Sequence, residues 1–256
     1  MIVTTAGRTN EQYVAKAKEV ANDLQVPYIM RNKKSLHSLH ADNENIVVVG
    51  KDGIQLYHRD GKEPYFFHPN VAMIRVKRII NGESDPLIEA ADLVEGDSFL
   101  DCTLGYASDS IVASYIIGEK GTITGIEASP VIAYLTRQGL QSWEHDFSPI
   151  EQAMRRIQVQ TGDHYEYLKA MPDNSVDVVY FDPMFEDSIK ESNALQTLAP
   201  FTSFAPLTEA IIYEAKRVAR KKVVLKDHFR STRFQQLGFQ QQIRKTSKFH
   251  YGVITI

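Results

Sequence analysis

The stretch VVYFDPMFED, residues 178 to 187, runs four apolar, β-prone residues straight into an acid, a proline, a methionine and a phenylalanine. Val178 to Phe181 reads as a strand buried on both faces, because no polar residue alternates with the apolar ones. Pro183 cannot continue a ladder, having a fixed φ and no amide hydrogen. An ordinary strand end and turn accounts for these residues. So does a clamp for a flat molecule carrying an amino group, built from the carboxylate of Asp182, the rigid bend at Pro183 and the ring of Phe185. The sequence around the stretch has to decide between them.

Outward from it, strands and helices alternate from residue 87 onward. SFLDC precedes the helix-like DSIVASYIIG, TITGIE precedes SPVIAYLTRQGL, RIQVQTG precedes HYEYLKAM, VDVVYF precedes PLTEAIIYEAKRVA, and KKVVLK precedes STRFQQLG. Ser129 is a candidate helix cap, with Pro130 in the first turn. FQQQIRK and KFHYGVITI can close the chain as an antiparallel hairpin. This alternation predicts an α/β fold with a doubly wound, mostly parallel sheet and helices on both faces. Ligands of such sheets sit at the carboxyl ends of the strands, near the point where strand order reverses.

The first eighty residues differ. MIVTT reads as a strand and TNEQYVAKAKEVANDL as a helix capped by Thr9 or Asn10, with Tyr13, Ala17, Val20 and Leu24 as its apolar stripe. Two Asp-Gly turns between short β-rich runs predict a hairpin or small meander. The expectation is a small α+β domain over residues 1–80, a linker NGESDP at 81–86, and a second domain over 81–256.

The 256 residues contain 43% hydrophobic and 24% charged side chains, ordinary for a folded domain. No apolar run approaches the about 18 residues of a membrane helix, and no signal peptide is evident at the N-terminus. The lone cysteine, Cys102, excludes an internal disulfide and suits a reducing compartment. It reads as a small core residue rather than a nucleophile. The expected location is the cytoplasm, away from membranes. His37, His40, His58 and His68 lack cysteine partners and a tight ligand spacing, so no metal is expected. The net charge is −3, but residues 214 to 250 hold eleven Lys and Arg against two Asp and Glu. Such a basic stretch on an acidic body can bind polyanions or can be a solvated face.

The predicted strand ends carry the chemistry. Asp101 ends the first, and Gly105 in DCTLGYASDS permits a close backbone approach before a helix. The loop is neither G-x-G-x-x-G nor a lysine-bearing phosphate loop, which argues against triphosphate binding. Glu127, 26 residues beyond Asp101, ends the second strand. It can accept two hydrogen bonds from a ribose diol or favour the following helix N-terminus. Asp163 or His164, after the third strand, can meet an adenine edge, or Asp163 can cap a helix. Asp182 ends the fourth.

Loop, diol acid, adenine-edge residue and Asp-Pro-x-aromatic, in that order, resemble the layout of class I S-adenosylmethionine-dependent methyltransferases. FLDCTLGYASDS, GIEASPVIAYLTRQGL, VVYFDPMF, and KKVVLK followed by KFHYGV are similar to the bacterial small-subunit ribosomal RNA guanine-N2 methyltransferase J family. The likeness covers roughly residues 85 to 256. The family's loop is Asp-Ala-Thr-Ala-Gly-Leu-Gly-Arg-Asp; here Ala107 and Ser108 stand at its second glycine and its arginine. Ala128 replaces a frequent arginine, and Glu186 a proline.

The resemblance implies a Rossmann-like fold and S-adenosyl-L-methionine as cofactor. It places Ser108 and Asp109, Glu127 and Ala128, Asp163 and His164, and Asp182 at cofactor positions, beside Asp101 and Gly105. It implies that Asp182 and the Pro183 carbonyl accept the two hydrogens of an exocyclic amine while Phe185 stacks on the base. The expected partner is RNA, ribosomal by family, with Lys226, Arg230 and Arg233 as substrate contacts. Two alternatives stay open: a methyltransferase for a small molecule or protein, and a non-catalytic RNA-binding protein that retains the cofactor.

Overall fold

The computed structural model describes residues 1–256 except Lys62, 184–196 and 202–205. Met184, Phe185, Glu186 and Asp187, the last four residues of the quoted stretch, therefore lie outside the described residues. Two compact units emerge, Met1–Phe67 with 189–202, and His68–Ser188 with 203–256.

In the first unit, β1 (Ile2–Thr5) leads into α1 (Glu11–Asp23). Asn10 caps that helix, its side chain accepting from the Tyr13 amide at 2.9 Å. After the short α2 (Leu36–His40), β2 (Asn45–Gly50) pairs parallel with β1 and antiparallel with β3 (Gly53–His58). PYFFH does not form a strand: only Tyr65 pairs, exchanging both backbone bonds with Leu56 at 2.8 Å. Phe201, late in the chain, sets its ring edge-on to His58.

The second unit opens with α3 (Asn70–Ile80) and α4 (Pro86–Ala91). Alternation follows: β4 (Ser98–Asp101), α5 (Ser108–Ile117), β5 (Thr122–Glu127), α6 (Pro130–Ser142), α7 (Ser148–Arg155), β6 (Ile157–Thr161), α8 (His164–Ala170) and β7 (Val176–Phe181). Then come α9 (Glu209–Val218), β8 (Ala219–His228), α10 (Arg233–Gln236), β9 (Gln240–Gln242) and β10 (Phe249–Thr255). The sheet order is β6-β5-β4-β7-β8-β10-β9. β10 runs against both neighbours and the other pairings are parallel, the expected doubly wound, mostly parallel sheet.

VVYF packs both faces, as its composition requires. Val179 and Phe181 join Leu100, Ile126, Val223 and Leu225 under Ile211 and Ala215 of α9. Tyr180 stacks on Phe99, with ring centroids 5.5 Å apart. Cys102 is buried, which pushes its thiol up.

The unit boundary at residue 67 precedes the expected one near residue 80, and the stretch read as a linker lies within the second unit, with residues 81–84 exposed and Asp85 buried. Arg75 on α3 holds that carboxylate. Its guanidinium forms a fork onto Asp85, with both N–O distances 2.8 Å, and its Nη1 reaches Asp109 on α5 at 2.5 Å. Asp85 in turn caps α4 through the Leu87 amide at 3.0 Å. Asp85 and Asp109 are both buried, so Arg75→Ala leaves Asp85 without a cation and Asp109 with Lys226 alone among the described residues. The expected loss is about 3–5 kcal/mol, read from the urea midpoint and slope; a loss under about 1 kcal/mol would mean the fork is a surface pair.

Candidate active site at the carboxyl edge of the sheet

Strand order reverses at β4, with β5 and β6 on one side and β7 and β8 on the other. Asp101 and Asp182 thus lie at the ends of adjacent parallel strands, at the switch point where such sheets open a crevice. The ladder continues past the strand ends. Cys102 N donates to Tyr180 O at 2.9 Å, and Asp182 N to Thr103 Oγ1 at 2.6 Å.

Asp101 is buried and organises the loop that follows. It accepts from the Thr103 amide at 2.9 Å and from Ser110 Oγ at 2.6 Å. Gly105 and Ala107 both take left-handed backbone, at φ 49° and 59°. For Ala107 that conformation costs roughly 1–2 kcal/mol, yet it keeps the turn geometry without a second glycine. The loop is drawn across β5 because Gly125 has no side chain. A Cβ there would stand 2.3 Å from Leu104 Cδ1, and Leu104 N donates to Ile126 O at 3.0 Å.

Glu127, 7% exposed, ties two loops together. Its Oε2 accepts from Gly105 N at 3.1 Å and its Oε1 from Ser129 N at 2.9 Å. Each oxygen keeps a second lone pair, the requirement for also receiving a diol. Burial pushes its carboxyl up. The Ser129 hydroxyl does not cap α6; its amide donates to Glu127 and its carbonyl accepts from the Ala133 amide at 2.9 Å. Ala128 is exposed at this bend, and Ser108, partly buried, opens α5.

Asp163 caps α8, accepting from the Tyr165 and Glu166 amides at 2.9 and 3.1 Å. His164 sets its ring edge-on to Phe181 at 5.8 Å, and its Nε2 is buried without a protein partner among the described residues. Burial lowers its imidazole. A buried diol-type acid, a loop turned by left-handed backbone and this orphaned nitrogen fit an adenosyl cofactor.

Asp109 is not at the loop surface. It is buried between Arg75 at 2.5 Å and Lys226 Nζ at 3.1 Å, and accepts from Tyr180 Oη at 2.9 Å. Burial alone would raise its carboxyl; Lys226 and Arg75 overcome this and hold it well below the usual range. Lys226 also meets Asp182 Oδ2 at 2.6 Å. Burial would lower its ammonium, but Asp109 and Asp182 hold it above the ordinary value. Burial raises Asp182, with Lys226 opposing. Asp85, Arg75, Asp109, Lys226 and Asp182 thus form a chain of alternating charge. Nothing in the sequence singled out Arg75.

The basic stretch is not one surface. Arg217 pairs with Asp173 and Glu214, Arg220 with Asp177, Lys221 with Asp97 and Lys222 with Asp92. Arg217 lies at the end of α9, and Arg220, Lys221 and Lys222 lie in the first half of β8, about 20–26 Å of strand from its carboxyl end at ~3.3 Å per residue. Arg233 pairs with buried Asp227 at 2.6 Å. Arg230 is exposed and lies over the Phe229 ring at 4.9 Å. The turn between β9 and β10 brings Lys248 to the same end, its carbonyl accepting from Phe229 N. No acid occurs from residue 228 to 256. Among the described residues no group of three or more His, Cys, Asp or Glu could hold a metal, and no helix is long and apolar enough to cross a membrane.

Burial raises Asp101 to about 7. The folded state therefore keeps a proton that the unfolded chain releases near 3.9, so this group's contribution to stability falls as pH rises from about 4 to 7. Asp101→Asn preserves the neutral shape. The stability of the variant minus that of the parent should climb across that window and level off above it. Urea denaturation at a series of pH values measures this; a flat difference would mean that Asp101 is ionised throughout.

Comparison with known proteins identifies the family. A family described as "Putative SAM-dependent methyltransferase" matches residues 29–251. The YpiP protein of Bacillus subtilis (strain 168), itself uncharacterized, is 48% identical over 254 residues, covering 99% of this chain and 98% of its own. The ribosomal RNA small subunit methyltransferase J of Shewanella putrefaciens is 25% identical over 228 residues, covering 85% and 81% of the two chains. Its counterpart in Acinetobacter baumannii (strain AYE) is 28% identical over 157 residues, 56% of this chain and 55% of that protein. A SAM-dependent methyltransferase from Neisseria gonorrhoeae shares the fold at a TM-score of 0.66 and 16% identity, covering 100% of this chain and 96% of that one. The chain belongs to the SAM-dependent methyltransferase family, with a class I fold and S-adenosylmethionine as its cofactor.

Proposed function

We propose that the protein methylates an exocyclic amino group of a nucleobase in RNA, with guanine N2 of small-subunit ribosomal RNA as target and the cytoplasm as its place of action. The observation that carries this reading is the setting of Asp182. It stands at the switch point before Pro183, with Oδ2 on Lys226 and Oδ1 without a partner among the described residues. The methyltransferase J relatives support the same substrate.

Bound S-adenosylmethionine supplies an electrophilic methyl group. The protein supplies position, which dominates such in-line displacements. An exocyclic amine is a poor nucleophile because its lone pair is delocalised into the ring. Asp182 and the Pro183 carbonyl accept its two hydrogens, favour a more tetrahedral nitrogen and turn the lone pair outward. The carboxylate offsets the positive charge that develops on nitrogen. Phe185 stacks on the base, a contact worth ~1–3 kcal/mol, and Glu127 holds the cofactor ribose. The base reaches this corner from a single-stranded loop or by flipping. The acid-free end of the chain, with Arg230, Arg244, Lys245 and Lys248, favours RNA over a small molecule. Arg233, neutralised by Asp227, contributes less than its charge suggests.

Incubation with radiolabelled S-adenosylmethionine and, separately, ribosomal subunits, naked RNA and bulk protein tests the reading. Label is expected in RNA as N2-methylguanosine, and Asp182→Ala is expected to lower transfer at least a hundredfold while cofactor affinity falls less. Label in protein alone, or near-normal turnover by the variant, would overturn it. Arg230→Glu combined with Lys245→Glu should weaken RNA binding without altering cofactor affinity. Each lost phosphate contact lowers the log–log salt slope by roughly 0.7–0.9; an unchanged slope would return this end of the chain to a solvated face.

A further inference from the structure

We propose that Lys226 is a positioning residue for methyl transfer: its ammonium grips Asp182 Oδ2 and Asp109 Oδ2 together and so presents Asp182 Oδ1 to the substrate amine. The sequence alone suggested that Lys226 touches the substrate. The geometry gives its charge to two carboxylates instead, at 2.6 and 3.1 Å. An aspartate with one oxygen held loses rotation about its side-chain bonds, and the plane of the carboxylate becomes fixed. The grip is firm because the far end is anchored. Asp109 is held by Arg75 and Tyr180, Arg75 by Asp85, and Asp85 by the first turn of α4. Lys226 itself sits in β8, beside β7 in parallel register, so its backbone shares the ladder that ends at Asp182.

The charged and titratable groups facing this pair come from every neighbouring element. They are Asp101 after β4, Asp109 on α5, Arg75 on α3, Tyr180 on β7, Asp227 on β8 and Tyr251 on β10. Most are anionic or neutral acids, and Lys226 is the cation in contact with Asp182 that opposes their push on its carboxyl. The role presupposes amine transfer, the reading proposed above; the hold on Asp182 is measurable without it.

The test uses the full chain with Lys226→Met, Lys226→Arg and Asp182→Asn. Carbon-13 NMR of the side-chain carboxyls, assigned with Asp182→Asn, reads the Asp182 titration. Its midpoint is expected to rise by at least one pH unit in Lys226→Met and to return most of the way in Lys226→Arg. In transfer to RNA, Lys226→Met should lose at least tenfold in kcat with KM for the cofactor changed less than threefold, and Lys226→Arg should recover part of the rate. An unmoved Asp182 midpoint, or full kcat in Lys226→Met, overturns the proposal. Should the methionine variant fail to fold, the nitrogen-15 titration of Lys226 in Asp182→Asn reads the same coupling: the ammonium pKa must fall, and an unchanged value overturns it. A parent protein that methylates no RNA would sink the functional reading, while a shifted Asp182 midpoint would still establish the grip.

Discussion

Asp109 lies buried between two cations, and the carboxyl edge of the sheet is organised around that contact. Arg75 approaches it from α3 and Lys226 from β8, and each carries a second acid, Asp85 and Asp182. Taking Asp85 and Asp109 out of water, with Arg75, Lys226 and Asp182 partly buried beside them, is expensive. The arrangement is tolerable because signs alternate along the chain and the interior carboxylate has three partners. Such a network holds only one geometry well. It ties α3, α4, α5, β7 and β8 to a common register, and its last member is the acid at the corner VVYFDP. Structure and chemistry are coupled here through electrostatics rather than through packing alone.

A second tie works on the other side of the switch point. Glu127 joins Gly105 to Ser129 through two backbone amides, so the loop after β4 and the bend after β5 move as one. The loop lies close over β5 because Gly125 admits Leu104. Left-handed backbone at Ala107 carries strain that the surrounding hydrogen bonds hold in place. A site held this way is largely formed before its ligand arrives, which reduces the ordering cost of binding.

β8 separates two uses of positive charge. Cations around its start are consumed by Asp92, Asp97, Asp173, Asp177 and Glu214. They hold the amino edge of the sheet together and have little left for a partner. Beyond its end the chain has no acid at all, and Arg230 and Lys245 stand in that acid-free stretch. A net charge of −3 for the whole chain conceals this division.

Local pattern carried much of this protein in its sequence. The apolar run of VVYF, the strand–helix alternation and the Asn10 cap depend on near neighbours, and periodicity records near neighbours faithfully. The strand-end acids were legible too, because a parallel sheet puts loops and ligands at one edge. The hairpin of β9 and β10 followed from adjacency. What composition could not reveal was pairing across long stretches of chain. Arg75 carried no signal in the sequence, and its partner Asp109 is 34 residues away. Lys226 read as a substrate contact, yet its partners lie 44 and 117 residues back. The burial of Asp85 before α4 and the split of the basic stretch follow from such pairs. Charge carries no periodicity along the chain, and a cation shows no preference in sequence for one acid over another. Only when the sheet brings β4, β7 and β8 side by side does distance select the partner.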